Sequence, residues 1–204
     1  MGDARHHTET ALLAAVSAIP YVGGPLALVA ERTMDRSRSN VAETGAAAIE
    51  EAGDPELFLQ RVEQDERLAY MLLNAAEAAE RTSLAAKRRL LGRVVGRAAK
   101  DPALIDESEL LMSALRDLDV SHLEALAELE EAFRTNQGRL KTLVAKEVMD
   151  RYPAPIAAAL RRHGLVNEVT TFDYAGLFDD LTDFGRLLLH DLRRASAEEH
   201  AGDT

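Results

Sequence analysis

Residues 81–100 read RTSLAAKRRLLGRVVGRAAK, and their spacing predicts an amphipathic helix. Apolar side chains recur every three or four residues, which is the spacing of one face of an α-helix. Ser83 is the predicted N-cap, and the dipeptide Asp101-Pro102 ends this helix and starts the next one. The predicted apolar face holds Leu91, Val94, Val95 and Ala98, and the opposite, basic face holds Arg89, Arg93, Arg97 and Lys100.

The basic face of this helix has a structural and a functional interpretation. Residues 81–100 contain seven bases and no acids, whereas residues 40–80 contain ten acids and two bases. Opposite charges allow the acidic helices before Arg81 to pack against the basic helix as antiparallel neighbours. A basic amphipathic helix is also typical of proteins that bind nucleic acid or anionic lipid.

The composition favours a mainly all-α fold. Helix-favouring Ala, Leu, Glu and Arg abound, aromatic residues make up 4%, and Trp is absent. The 204 residues suffice for one large domain or two small ones. The absence of cysteine excludes disulfides, thiolate metal sites and cysteine nucleophiles, and it fits a cytoplasmic protein. A net charge of −11 repels nucleic acid and anionic membranes at long range.

Residues 11–30, ALLAAVSAIPYVGGPLALVA, form an uncharged stretch that is just long enough to cross a bilayer. Pro20, Gly23, Gly24 and Pro25 interrupt it, and a broken helix in lipid leaves backbone groups unpaired. We therefore expect two short helices that are buried against the rest of the protein. A hairpin that associates with the membrane is the alternative.

A second domain is predicted to begin near Asp119, which divides the chain into a helical bundle, 1–119, and a smaller module, 120–204. Ser121 and Glu124 have the spacing of a capping box, which marks the start of a new helix. The stretch 165–172, LVNEVTTF, has strand character, and residues 173–176 form a predicted turn. Leu177 and Phe178 are expected to return as the partner strand, after which Thr182 caps the last helix.

Three short helices, a hairpin and a final helix, together with the motifs ALRRHGLV (159–166) and LTDFGRLLLHDL (181–192), resemble a bacterial winged-helix module. The resemblance covers residues 120–194. It implies that the helix before Gly164 is a recognition helix, that the hairpin is a wing, and that the last helix often makes a dimer. The segments SAIPYVGGPLALVAER (17–32) and ERTSLAAKRRLLGRVV (80–95) resemble helical regions of uncharacterised bacterial and phage-associated proteins.

The winged-helix resemblance does not by itself predict DNA binding. The implied recognition helix carries mostly alanine, and the implied wing carries Glu168, Asp173, Asp179 and Asp180, which repel phosphates. We expect the module to contact a protein. The alternative is weak DNA binding, for which the candidate contacts are Arg139, Lys141, Lys146, Arg151, Arg161 and Arg162.

The last helix predicts a homodimer. It carries more apolar surface than one small module can bury, and the candidate dimer contacts are Leu187, Leu188, Leu189 and Leu192.

No motif of a known enzyme is present in the sequence. It contains no HExxH, no GxSxG, no Walker phosphate loop and no dinucleotide fingerprint. The acids Asp179, Asp180 and Asp183 could resemble a metal cluster, but Asp183 is more simply explained by the start of the last helix. We therefore predict no catalytic, cofactor-binding or metal-binding residues.

The sequence favours a non-enzymatic regulatory or interaction protein that acts through protein–protein contacts, with a relation to phage or defence systems. The first alternative is a winged-helix transcriptional regulator that binds DNA. The second is a membrane-associated effector that uses residues 11–30 together with the basic helix.

Overall fold

The computed structural model describes residues 25–169 and 177–202. In chain order these ranges contain α1 (Pro25–Ala52), α2 (Pro55–Gln64), α3 (Glu66–Arg81), α4 (Ala85–Lys100), a 3-10 turn (Pro102–Leu104), α5 (Ile105–Asp117), α6 (Val120–Thr135), α7 (Lys141–Met149), α8 (Ala154–Arg162), β1 (Val166–Glu168), β2 (Phe178–Leu181) and α9 (Asp183–Gly202). The prediction of a mainly all-α protein with one short hairpin near the C-terminus is confirmed.

The chain divides into two compact units, one ending at Arg38 and the other comprising Ser39–Thr204. Of the first unit the structure describes residues 25–38, in which Asp35 and Arg38 form an exposed ion pair of 3.8 Å. The second unit holds the buried core. Both sides of the boundary predicted near Asp119 lie within the second unit, and that boundary stays a prediction.

Helix α4 is the centre of the second unit and packs against α3, α5 and α9. Its sequence is rich in Ala, Leu and Val, and it contains two glycines, Gly92 and Gly96. A helix that is buried around its whole circumference belongs to the core rather than to the surface. This burial extends to Lys87 and Arg93, whose side chains lie inside the protein.

Two glycines of α4 let it approach the backbone of α1. A Cβ atom on Gly92 would lie 2.1 Å from the carbonyl oxygen of Thr44, and one on Gly96 would lie 2.3 Å from that of Ala48. The Thr44 hydroxyl lies in the same contact, 3.0 Å from the carbonyl oxygen of Asn40 and 3.2 Å from that of Arg88, and its single proton is shared between them. At these two positions the backbones of α1 and α4 are therefore too close for any residue other than glycine.

The helix boundaries follow capping chemistry, with two corrections to the sequence prediction. Asp54 caps α2, because its Oδ1 accepts from the backbone N–H groups of the next turn. The prediction that Ser83 caps α4 is wrong, since the N-cap residue is Leu84. The capping box predicted at Ser121 is also displaced: Asp119 is the N-cap of α6, and its backbone N–H donates to Nδ1 of His122 over 3.0 Å.

The C-terminal elements surround the hairpin. Strands β1 and β2 are antiparallel, with Val166 opposite Leu181, and the register is irregular at Glu168. Strand β1 lies within the predicted stretch 165–172, and β2 extends to Leu181, beyond the predicted Leu177 and Phe178. Residues 170–172 and the predicted turn at 173–176 lie outside the described residues. Thr182 caps α9 as predicted: its hydroxyl accepts from the N–H of Gly185 over 3.0 Å. The same hydroxyl donates to the carbonyl oxygen of Gly164, which ties α9 to the end of α8.

An ion pair inside the protein joins α4 to α9. The guanidinium of Arg97 lies 3.1 Å from Oδ2 of Asp191, and the two side chains are 21% and 8% exposed. His190, whose Nδ1 is 3.4 Å from Oδ1 of the same carboxylate, is largely exposed. Asp191 therefore depends on Arg97 for its charge compensation.

We expect Gly92→Ala to destabilise the protein by about 1–3 kcal/mol, because the added Cβ forces α1 and α4 apart. The matched control is Gly45→Ala in α1, where a Cβ meets no atom within 4 Å. This control should gain about 0.5–1 kcal/mol from the better helix propensity of alanine. Urea unfolding followed by circular dichroism measures both changes. A Gly92→Ala protein as stable as the unchanged chain contradicts the close approach.

We expect Arg97→Met to destabilise the protein by roughly 3 kcal/mol, because it leaves the buried carboxylate of Asp191 without a cation. Asp191→Leu should cost less, since Arg97 is long enough to turn its guanidinium towards water. Removing both should cost less than the sum of the single changes, which a double-mutant cycle in urea tests. The control is Arg134→Met, because Arg134 pairs with Glu131 on the surface and its loss should leave stability near that of the unchanged chain. Additive costs would show that the pair carries no coupling.

Candidate interaction surfaces

Each of the six predicted nucleic-acid contacts is engaged with a carboxylate of the protein itself. The pairs are Arg139 with Glu147, Lys141 with Asp180, Lys146 with Asp150, Arg151 with Glu128, Arg161 with Glu168, and Arg162 with Asp117. Exposed ion pairs of this kind contribute little to stability. They nevertheless place a negative charge beside every cation that a phosphate group would have to approach.

The two basic residues at the end of α8 are held by other elements. Arg161 lies 3.1 Å from Glu168 of β1, and its guanidinium carbon is 5.4 Å from the centre of the Phe178 ring. Arg162 lies 3.4 Å from Asp117 of α5. Much of the rest of the exposed side of α8 is formed by small or apolar residues, as the sequence indicated. This helix therefore offers few groups that could hydrogen-bond to base edges.

A groove of about 740 Å³ runs between α6, α7, β2 and α9. Its four cations face three carboxylates, and the groove is lined by Arg134, Lys141, Arg186, Arg193, Glu130, Glu131 and Asp180 together with Phe133, Gln137 and Leu181. Partial burial acts to raise the pKa of Asp180. Hydrogen bonds from Lys141 and from the Leu181 N–H outweigh this, and with the charge of Arg186 they hold that pKa below its usual value.

The acids of the hairpin do not form a metal site in the described ranges. Asp180 accepts from Lys141 and Arg186, which occupies its oxygens with cations of the protein. No group of three or more His, Asp or Glu side chains among the described residues is arranged to hold a metal ion. Asp173, the other predicted acid of the wing, lies outside the described residues.

The predicted basic face of α4 is largely covered by neighbouring helices. Glu43 of α1, one of the acids in residues 40–80, lies 3.2 Å from Arg89 and 2.7 Å from Arg88. Arg93 is buried, and Arg97 pairs with Asp191 of α9. Of the four candidate residues only Lys100 is fully on the surface. This face therefore presents little positive charge to a membrane or to nucleic acid.

The leucines that predicted a dimer lie mostly inside the chain. Leu188, Leu189 and Leu192 are buried, and Leu187 is half-buried. Helix α9 packs against α4 and α6, which supply the apolar surroundings that the sequence analysis assigned to a second copy. The surplus of apolar surface that motivated the dimer is thus absorbed within the protein.

Residues 11–24 of the predicted membrane segment lie outside the described residues. Among the helices that the structure describes, none is both long enough and apolar enough to cross a bilayer.

The structure reveals an exposed apolar surface that the sequence analysis missed. Tyr70 and Leu73 of α3 and Leu110 of α5 are each 64% exposed, and we call these three side chains the apolar patch. Tyr70 and Leu73 are three residues apart and therefore lie on one face of α3. The opposite, apolar face of α3 comprises Leu68, Leu72, Ala75 and Ala79, which are buried or packed against the core.

The residues of the apolar patch lie on two helices, α3 and α5, that pack against each other. At one end, Arg67 of α3 donates to Asp106 over 2.6 Å and to Glu109 over 2.8 Å, both in the first turns of α5. At the other end, Glu77 of α3 and Arg116 of α5 line the same cavity. The two helices are thus parallel, and Tyr70 and Leu110, which closely follow the bridged residues, lie at the same level.

The margin of the apolar patch is acidic. Glu66 and Glu77 lie on the exposed side of α3, and Asp106 and Glu107 lie on the exposed side of α5. Arg67 is the cation between the helices, and its two carboxylate partners, Glu109 and Asp106, raise its pKa further. The surface therefore combines three large apolar groups with a negative surround.

Comparison with known proteins assigns this chain to no family. No protein-family model, no curated protein and no solved structure matches it. What its surfaces do has to be inferred from their own chemistry.

Proposed function

We propose that this protein is a non-enzymatic interaction protein that recognises another protein through the apolar patch. The observation that carries the proposal is that Tyr70, Leu73 and Leu110, on two helices that pack against each other, are each 64% exposed. Isolated exposed apolar residues are ordinary, but contiguous ones with a polar margin are typical of protein interaction sites. Burial of such a surface by a partner is favoured at roughly 25 cal/mol per Å² of apolar area.

The chemistry of the apolar patch favours a different protein over a second copy of this chain. Tyrosine is enriched at the centre of protein interfaces, where its ring is buried and its hydroxyl keeps a polar partner. The acidic margin repels an identical acidic margin and attracts a basic one. A partner with an apolar, positively charged surface fits both properties.

DNA binding through the module 120–204 is the second candidate function. It is supported by the order of three helices, a hairpin and a final helix, which resembles winged-helix regulators. Against it stand the six cations that are already paired and the charge of the module, which has ten bases and fifteen acids. Phosphate contacts supply most of the affinity of such modules for DNA, so the balance of charge favours protein contact.

A regulatory role, a relation to phage or defence systems and a cytoplasmic location remain predictions from the sequence. None of them is needed for the proposed recognition of a protein partner.

We expect the double variant Leu73→Ser, Leu110→Ser to lose its partner while keeping its fold. Both side chains project into solvent, so the free energy of unfolding should change by no more than about 0.5 kcal/mol. Chemical crosslinking in the native cells, followed by mass spectrometry, identifies the partner. Titration of the purified partner then measures the loss of binding in the variant.

The matched control for this experiment is Leu140→Ser, Leu143→Ser, which removes two other exposed leucines at the start of α7. This control should bind the partner as the unchanged chain does. Retention of binding by the Leu73 and Leu110 variant, or its loss in the control instead, contradicts the proposal. Crosslinks to a second copy alone would assign the patch to self-association.

We expect the protein not to bind a labelled random DNA duplex at micromolar concentration. Fluorescence anisotropy at about 50 and 200 mM salt measures this, because binding driven by phosphate contacts weakens steeply over that range. Replacing Arg161 and Arg162 by alanine should change nothing. Micromolar binding that falls with salt and is lost in that variant would favour the DNA-binding alternative.

A further inference from the structure

A cavity of about 330 Å³ lies where the end of α3, the start of α4 and the junction between α5 and α6 meet. Its lining is rich in groups that can donate hydrogen bonds to an anion. These are the cations Arg81, Lys87 and Arg116 and the hydroxyl groups of Thr82, Ser83 and Ser121. Glu77 and Asp119 are the carboxylates of the lining.

Lys87 is the most unusual residue of this cavity. Its side chain is buried to all but 4%, and its ammonium donates to the carbonyl oxygen of Leu118 over 2.5 Å. Among the described residues no carboxylate forms an ion pair with it. Burial lowers the pKa of Lys87, and the more distant charges of Asp119 and Asp117 oppose that shift only in part. A buried ammonium without a counter-ion is destabilising, and an anion in the cavity would remove that cost.

The mouth of the cavity carries a guanidinium that the described part of the chain leaves unengaged. Arg116 is exposed and forms no hydrogen bond or ion pair with the described residues. Arg81 pairs with Glu77 over 2.9 Å on the surface of α3, an exposed arrangement that costs little to open. Thr82 is buried, and its hydroxyl oxygen accepts from the N–H of Leu84, which leaves its proton free to donate.

We propose that this cavity binds a small phosphate-bearing metabolite, with Lys87 at its base and the guanidinium groups of Arg81 and Arg116 at its mouth. Guanidinium groups match the geometry of phosphate oxygens, and an ammonium supplies a point charge beside them. The volume lies at the lower end of small-molecule sites. It fits a phosphate group with one attached ring, and it is too small for a nucleic-acid strand.

Such a ligand would join parts of the protein that are distant in the sequence. Lys87 of α4 donates to the carbonyl oxygen of Leu118, which directly follows α5, and Ser121 in the first turn of α6 also lines the cavity. The ligand would therefore hold the α5–α6 junction against the start of α4. This inference does not depend on the apolar patch and stands separately from the proposed protein partner.

The test is isothermal titration of the full chain with ribose 5-phosphate, pyrophosphate and citrate, in buffer free of phosphate and sulfate. We expect at least one of the two phosphate compounds to bind in the micromolar range, and citrate to bind at least tenfold more weakly. Arg116→Gln changes an exposed residue, so it should fold normally and weaken phosphate binding at least tenfold. Lys87→Met should do the same, with circular dichroism as the check of its fold.

The matched control is Arg139→Gln, which removes a surface arginine outside the cavity and should bind as the unchanged chain does. Three results overturn the proposal: no binding of either phosphate compound at millimolar concentration, equal binding by Arg116→Gln, or equal weakening by Arg139→Gln. Citrate binding as tight as phosphate binding, with the same dependence on Arg116, overturns the assignment to phosphate.

Discussion

The close approach of α4 to α1 is the constraint on which the rest of the second unit depends. Gly92 and Gly96 bring the α4 backbone within reach of the carbonyl groups of Thr44 and Ala48, so a side chain at either position cannot be accommodated without separating the helices. With α1 seated on one side, α3, α5 and α9 complete the surround of α4. Because neighbouring helices cover most of α4, the charged side chains along it need hydrogen-bond or ion-pair partners within the protein.

The cations of α4 have different partners, and the differences indicate which of them could bind a ligand. Glu43 compensates Arg88 and Arg89, and Asp191 compensates Arg97, so these cations serve the packing of α1 and α9. Lys87 donates to a carbonyl oxygen and lines a cavity, and among the described residues it forms no ion pair with a carboxylate. A cation that is compensated within the fold is poorly placed to attract a ligand, whereas one that is not compensated is well placed to do so. In the helix that the sequence predicts to be basic, the candidate for ligand binding is therefore Lys87 in the first turn, rather than the row of arginines that follows.

Local chemistry made much of the fold predictable. Asp54 and Thr182 cap their helices because side-chain oxygens satisfy backbone N–H groups whatever the tertiary context, and the hairpin follows from a change in residue type after Gly164. The errors arose where more than one nearby residue could serve as the N-cap. Ser83 and Ser121 are good N-caps by type, but the helices start at Ala85 and Val120, so that Leu84 and Asp119 hold those positions.

The surfaces could be predicted far less well, because they depend on which helices lie side by side. The six cations of the module are visible in the sequence, but their carboxylate partners come from as far away as Asp117 and Asp180. Likewise, Tyr70 and Leu110 are forty residues apart, and only the packing of α3 against α5 places them on neighbouring helices. Periodicity identifies the face of a helix that is apolar, and it thereby selects the core. An interaction site of the kind proposed here consists of the apolar residues that remain on the other face, so the signal to search for is a large apolar residue that breaks the polar side of an otherwise regular pattern.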